Sequence, residues 1–168
     1  MFKEDLYARC IHTYGSVNVK NILRAMLSPG ASSVFLFRLS DFFHKNHLGI
    51  VGMIISNFNY HWNSILIGRG AIIGKGFVVT HSIGVVINGN VTIGNNLIIE
   101  HGVTIGSKGR SLPNPIISNN VYIGAGAKII GPVSIGNNSK VGTNAVVVKD
   151  IPDNVTVVGI PARIIGKT

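Results

Sequence analysis

A branched aliphatic residue returns at every sixth position through most of the second half of this 168-residue chain. A fixed period this short is typical of a β-solenoid, in which each hexad supplies one strand and one corner. The period slips by two residues after Val91 and passes over Ser111. Its members are Ile67, Ile73, Val79, Val85, Val91, Ile93, Ile99, Ile105, Ile117, Ile123, Ile129, Ile135, Val141 and Val147.

The residues two positions before these aliphatics are small, as at Val121, Ala127 and Ala145. Residues i and i−2 share one face of a strand, so small ones suit the interior of a narrow prism. At three hexads per coil, the repeat predicts about four to five coils. We therefore predict a mainly β fold, a parallel β-helix over residues 63–168. Within it, residues 107–116 form an extruded loop with two prolines, and residues 151–168 form a tail that covers the open edge.

Residues 1–62 follow a different pattern and predict an N-terminal helical region. Apolar residues recur at helical spacing before a break at Ser28-Pro29-Gly30. A helix is predicted to start after an N-cap at Ser32 or Ser33. A further helix over 47–58 has apolar residues on all sides. We expect it to be buried against the solenoid end or a partner subunit, with contact to a membrane as the alternative.

The net charge of +9 is spread along the chain without a Lys/Arg run. This argues against a nucleic-acid partner and favours anionic small molecules or an acidic membrane surface. Cys10 is the only cysteine, which favours a reducing compartment. The longest apolar stretch, 48–55, is far shorter than the ~20 residues of a membrane-spanning helix. We expect a soluble, cytoplasmic protein, with the helical region as the candidate for peripheral association with the inner face of the membrane.

Several segments of the chain resemble a known family. The hexad array together with residues 80–84, 123–128 and 159–167 resembles the serine acetyltransferase branch of the hexapeptide-repeat acyltransferases. Residues 85–91 and 101–106 are similar, more specifically, to polysaccharide O-acetyltransferases of the colanic-acid-biosynthesis type. The likeness runs from about residue 28 to the end of the chain. It implies a left-handed β-helix with an α-helical cap, a homotrimer with active sites between neighbouring prisms, and acetyl-CoA as the acetyl donor.

The resemblance also implies roles for individual residues. His81 matches the family's catalytic histidine, which acts as a general base on a substrate hydroxyl. His101 is carried by the polysaccharide type and is interpreted as a second base or a substrate contact. Positions that match contacts to the donor cofactor are Gly106, Ser107, Ala125, Thr143, Arg163 and Lys167, with Lys128 and Lys140 as alternates.

Departures from the serine acetyltransferase pattern bear on the acceptor. Asn114 stands where that branch has a loop histidine, Thr80 where it has an acidic residue, and Tyr60 where it has an aspartate that orients the catalytic histidine. Glu100 is the only acidic residue between positions 42 and 149. These four residues are the candidate substrate contacts, and Glu100, Tyr60 or a backbone carbonyl is the candidate orienter of His81.

With so few carboxylates in the coils, the ammonium group of an amino-acid acceptor would lack a charged partner. We therefore predict acetyl transfer to a sugar hydroxyl in cell-surface polysaccharide biosynthesis, on a small-molecule, glycolipid or oligosaccharide acceptor. Serine O-acetylation in cysteine biosynthesis is the alternative.

Two rivals belong to other classes. Solenoid-type carbonic anhydrases hold zinc with histidines from adjacent subunits, two of them five residues apart. Five residues after His101 is Gly106, so no metal site is predicted. The other rival is a non-catalytic β-helix scaffold, which would cleave no thioester.

Overall fold

A computed structural model of the protein describes residues 1–107, 109 and 113–168. Residues 1–63 form a helical head with α-helices Phe2–Tyr14 (α1), Val19–Met26 (α2), Pro29–Lys45 (α3) and Gly49–Asn63 (α4). Ser28 is the N-cap of α3, since its side chain accepts a hydrogen bond from the Ala31 N–H, and Pro29 takes the first helical position. The predicted N-cap at Ser32 or Ser33 is therefore wrong.

The described part of the chain continues with short strands that stack in three sheets. All neighbours are parallel except the last pair, β14 and β15. The first sheet has the order β1-β4-β7-β10-β13, the second β2-β5-β8-β11 and the third β3-β6-β9-β12-β14-β15. The strands are Ile65–Ile67 (β1), Ile72–Ile73 (β2), Val78–Val79 (β3), Val85–Ile87 (β4), Thr92–Ile93 (β5), Ile98–Ile99 (β6), Thr104–Gly106 (β7), Ile116–Ile117 (β8), Tyr122–Ile123 (β9), Lys128–Ile130 (β10), Ser134–Ile135 (β11), Lys140–Val141 (β12), Val146–Val147 (β13), Val155–Val158 (β14) and Arg163–Lys167 (β15).

The predicted parallel β-solenoid is confirmed, with about four coils. The aliphatic hexad positions and the small residues two positions earlier fill the interior, and Ile99, Ile123, Ala127 and Ala145 are fully buried. Asparagines at one column of corners adopt positive φ. Asn96, Asn120 and Asn138 lie one above another, and each amide donates to the next at 2.9 Å, ending on Asn154.

Strand register locates the two irregularities of the repeat. Ile67 pairs with Ile87, and Ile87 pairs with Ile105. The first coil is therefore two residues longer than the second, and the extra residues lie between β3 and β4. The predicted slip after Val91 is thus placed wrongly, because Val85 and Val91 are the inner i−2 residues of their strands.

The second irregularity lies between β7 and β8. Ile93 pairs with Ile117, so the third coil carries six extra residues at that corner. They belong to the predicted loop 107–116, although Ile116 already lies in β8. Residues 108 and 110–112, including the Ser111 position of the repeat, are outside the described residues.

The tail closes the C-terminal end of the solenoid. β15 runs antiparallel to β14 and ends the third sheet. The Val146 N–H donates to the Gly159 carbonyl at 3.0 Å, and the Ala162 N–H donates to the Val146 carbonyl at 2.9 Å. The backbone groups of the last full strand of the first sheet are thereby satisfied within the chain.

An ion pair of the head closes the opposite end. Asp5 and Arg38 pair at 2.9 Å and are nearly buried. Arg38 also donates to the carbonyls of Ile73 (2.7 Å) and Gly74 (2.6 Å), and Asp5 accepts from the Phe77 N–H at 2.9 Å. In later coils, backbone groups on this side of a strand pair with the preceding coil. The first coil has no preceding coil, and the side chains of Asp5 and Arg38 supply hydrogen-bond partners in its place.

Many apolar side chains of the head are exposed. In α4, the residues buried in this chain are Gly52, Asn59 and Asn63, whereas Ile50 and Trp62 are each 73% exposed. The expected burial of this helix against the solenoid end is therefore confined to small and amide side chains. Among the described residues, no single helix has the length and hydropathy to cross a bilayer; α2 and α3 pass such a test only as a pair bent by 75°.

Gly30 lies where α3 meets the solenoid. A Cβ at this position would overlap the Val79 carbonyl oxygen and the Arg9 guanidinium. We expect Gly30→Ala to lower the free energy of unfolding by about 1–3 kcal/mol, the usual cost of overpacking. Chemical denaturation measures the change. Gly49→Ala is the matched control, since its Cβ would make only an ordinary contact at 3.9 Å; equal effects of the two substitutions would contradict this account.

Candidate functional site

The extra residues of the first coil build an irregular corner. Thr80 takes the ladder position that Glu100 takes in the next coil, because their N–H groups donate to the equivalent carbonyls of Ile99 and Ile123. The turn that follows then starts at Ser82, whose carbonyl accepts from the Val85 N–H at 3.2 Å. Three residues, 80–82, thus occupy the place of one. His81 is at the centre of this bulge and its side chain is exposed.

His101 lies in the next coil at the regular version of the same corner. The Gly102 N–H donates to the Ile83 carbonyl at 2.9 Å, which stacks the two corners. The His81 and His101 ring centroids are 6.2 Å apart, with the rings inclined at 66°. Neither ring hydrogen bonds to another of the residues that the structure describes. Both imidazoles are therefore available to a ligand.

Thr80 and Glu100 line the same corner from the end of the third sheet. The Thr80 hydroxyl oxygen is buried and has no hydrogen-bond partner among the described residues. Glu100 is half-buried and accepts a hydrogen bond from the Tyr122 hydroxyl at 3.3 Å. Burial raises the pKa of the Tyr122 phenol, and the charge of Glu100 adds to that shift. Thr80 and Glu100 each directly precede one of the two histidines, so a hydroxyl and a carboxylate belong to the same pair of stacked corners.

Two of the predicted cofactor positions lie in the same column of corners. The Gly126 N–H donates to the His101 carbonyl and the Asn144 N–H to the Ala125 carbonyl, both at 2.8 Å. Ala125 and Thr143 therefore follow His101 in successive coils. Lys128, an alternate contact, already uses its ammonium group on the Gly102 carbonyl at 2.5 Å and the Thr104 hydroxyl at 3.1 Å.

The structure does not bring the other predicted cofactor positions to this column within one chain. Gly106 and Ser107 are at the corner between the first and second sheets, and the Ser107 hydroxyl donates to the Gly109 carbonyl at 2.9 Å. Arg163 and Lys167 are exposed on β15, and Lys140 is exposed on β12.

Tyr60 and Asn114 are also apart from His81. Tyr60, at the end of α4, lines a groove with Ser64, Leu66 and Gly84, and its ring contacts His61 at 5.2 Å between centroids. No hydrogen bond joins Tyr60 to His81 in the described part of the chain. The side-chain amide oxygen of Asn114 is buried without a hydrogen-bond partner among the described residues, at the corner before β8.

Three residues around His81 were not identified from the sequence. Arg9 of α1 donates to the Val79 and Thr80 carbonyls. Tyr122 bonds Glu100, and Ser82 forms the turn. The position of Ser82 is recoverable from the repeat, once the two-residue slip is assigned to the segment after Val79. For Arg9 the sequence carries no such signal, because a basic residue on a helix is usually exposed.

The arrangement has the components of general-base catalysis on a small polar substrate. An exposed imidazole can act as a general base that takes a proton from a hydroxyl close to neutral pH. Among the described residues, no group of three or more His, Cys, Asp or Glu side chains lies close enough together to hold a metal ion.

Comparison with known proteins identifies relatives of the chain. Residues 114–149 match the family model "Bacterial transferase hexapeptide (six repeats)". Serine acetyltransferase of Helicobacter pylori strain J99 is 36% identical over 144 residues, which are 84% of this chain and 84% of the relative. Serine acetyltransferase of Bacillus pumilus is 36% identical over 138 residues, 81% of this chain; the chain spans only 64% of that relative's length.

A solved structure agrees with these relatives. Serine acetyltransferase from Brucella abortus strain S19 in complex with coenzyme A superposes with a TM-score of 0.87 and 30% identity, covering 97% of this chain and 66% of that one. The expected sugar acceptor in cell-surface polysaccharide biosynthesis is therefore wrong, since the relatives at this level of identity are serine acetyltransferases.

The bulge at 80–82 is an addition to a regular corner, which yields a structural prediction. Deleting residues 81 and 82 leaves Thr80-Ile83-Gly84, the same length as Glu100-His101-Gly102. We expect the variant to fold, with an unchanged far-UV circular dichroism spectrum and a cooperative melt.

The control for that prediction is deletion of residues 101 and 102. It shortens a coil that has no spare residues, so the ladder to the next coil cannot stay in register. We expect this control to lose cooperative unfolding. If both deletions are tolerated, or neither is, the assignment of the extra residues to the His81 corner is contradicted.

Proposed function

The chain belongs to the serine acetyltransferase family, and from this premise we propose that it transfers the acetyl group of acetyl-CoA to the hydroxyl of L-serine. The observation that carries the proposal is the pair of stacked corners that brings the exposed His81 imidazole to 6.2 Å from that of His101, between ring centroids. The Helicobacter pylori relative, which the chain covers for most of its length, supports serine as the acceptor.

In the proposed mechanism His81 is the general base. Its neutral imidazole takes the proton of the serine hydroxyl, whose oxygen attacks the thioester carbonyl carbon. The tetrahedral intermediate then expels the thiolate of coenzyme A, which receives the proton back from the imidazolium. Backbone N–H groups at the corners are candidates to stabilise the oxyanion. His101, with its ring centroid 6.2 Å from that of His81, is close enough to contact the acceptor.

Acceptor recognition is proposed to rest on Glu100 and Thr80. One oxygen of Glu100 accepts from Tyr122, which leaves the other for the ammonium group of serine. The buried Thr80 hydroxyl has no partner among the described residues and lies one coil away. Adjacent strands are about 4.8 Å apart. The Glu100 carboxylate can therefore reach the ammonium group of a serine bound beside Thr80 in the neighbouring coil.

Acetyl-CoA is proposed to lie along the corner column. Ala125 and Thr143 extend that column from His101, and the exposed Arg163 and Lys167 would pair with the phosphates. Gly106, Ser107 and Asn114 occur at a different edge of the prism. We propose that they reach a His81 of a neighbouring copy in a homotrimer, and that Tyr60 lines the acceptor entrance.

The first test is release of free thiol from acetyl-CoA with L-serine as acceptor. We expect His81→Ala to lower the turnover rate by roughly 10²–10⁴, the usual contribution of a general base. His12→Ala, an exposed histidine of the head, is the control and should leave the rate unchanged. Wild-type protein that cleaves no thioester with serine would contradict the proposed activity.

A second test addresses the ammonium group. A hydrogen bond to a charged partner contributes about 1.5–3 kcal/mol, so Glu100→Gln should lower kcat/KM for L-serine by roughly ten- to hundredfold. With 3-hydroxypropanoate, which lacks the amino group, the two proteins should have similar kcat/KM values. Equal losses with both acceptors would remove Glu100 from ammonium recognition.

A further inference from the structure

The helical head contacts the backbone that leads into His81. The Arg9 guanidinium, on α1, donates to the Val79 carbonyl and, at 3.4 Å, to the Thr80 carbonyl. Arg9 is only 8% exposed. Its two acceptors are the last residue of β3 and the residue directly before His81.

Close packing confines the guanidinium. Gly30, in the first turn of α3, has no side chain, and a Cβ there would overlap both the Val79 carbonyl oxygen and Arg9. Burial lowers the pKa of Arg9. A buried cation without a bonded carboxylate is costly to a fold.

The bulge has few other constraints. The Thr80 N–H donates to the Ile99 carbonyl, and the Val85 N–H closes the turn on Ser82. Between them, the backbone N–H groups of His81 and Ser82 make no hydrogen bond to the described residues. Arg9 is thus the contact that holds the N-terminal side of the bulge from outside the solenoid.

We propose that Arg9 is a positioning residue for the catalytic corner: by fixing the Val79 and Thr80 carbonyls it sets the direction in which the His81 imidazole and the Thr80 hydroxyl project. The inference rests on the proposed function for its kinetic consequence. It also assigns the head a role in catalysis as well as in closing the solenoid.

Arg38 provides a matched control within the same chain. Like Arg9, it reaches from a helix of the head to two successive carbonyls, those of Ile73 and Gly74, and it differs from Arg9 in its ion pair with Asp5. Its acceptors end the second strand of the coil and are remote from the bulge. A purely structural role predicts similar behaviour for the two arginines.

The experiment compares Arg9→Met, Arg9→Lys and Arg38→Met, with kinetic constants corrected for the folded fraction. We expect Arg9→Met to lower kcat by roughly ten- to hundredfold, the scale of a displacement of about 1 Å at a reacting group, with KM for serine within about twofold. Arg9→Lys should recover part of kcat, and Arg38→Met should lower the melting temperature but keep kcat. A wild-type kcat in folded Arg9→Met, or equal losses in Arg9→Met and Arg38→Met, overturns the proposal.

A spectroscopic readout separates this inference from the proposed activity. The ring signals of His81 in a ¹H–¹³C spectrum, assigned by their loss in His81→Ala, should move in Arg9→Met and stay in place in Arg38→Met. If the wild type fails to acetylate serine, the proposed function fails, and the His81 signals still decide the role of Arg9. Unmoved His81 signals in Arg9→Met overturn it.

Discussion

The parallel backbone ladder between successive coils is the constraint from which the rest of this structure follows. Except for β15, each described strand is hydrogen bonded to the equivalent strand of a neighbouring coil, so a residue added within a strand would move all later side chains to the opposite face. Extra residues can therefore leave only at corners. The described chain has two such places, the bulge at 80–82 and the insertion between β7 and β8, and both carry candidate site residues.

This constraint explains how much the sequence could predict. The hexad period identified the parallel solenoid and its interior residues, because both depend on local spacing. The slip was assigned to the segment after Val91 because Val85 and Val91 are aliphatic and happen to continue the six-residue count. In the structure they lie two positions before the true hexad residues, Ile87 and Ile93. Only strand pairing distinguishes these alternatives, and pairing is a contact between residues about twenty positions apart.

The candidate site was predictable in part for the same reason. His81 and His101 were identified from motifs, and the corner stacking brings them together. Arg9 was not, because its partners are 70 and 71 residues away and its helix gives no indication that a cation is buried. The acceptor was misjudged because the small number of carboxylates in the coils was given more weight than the match to the serine acetyltransferase motifs.

Both ends of the coil stack are terminated. At one end Asp5, Arg9 and Arg38 occupy backbone groups that a preceding coil would otherwise pair with, and at the other β15 reverses direction against β14. Open ends of such a stack would allow copies to add one after another along the axis into fibres. With those groups occupied, a second copy cannot extend the ladder by pairing its strands with them.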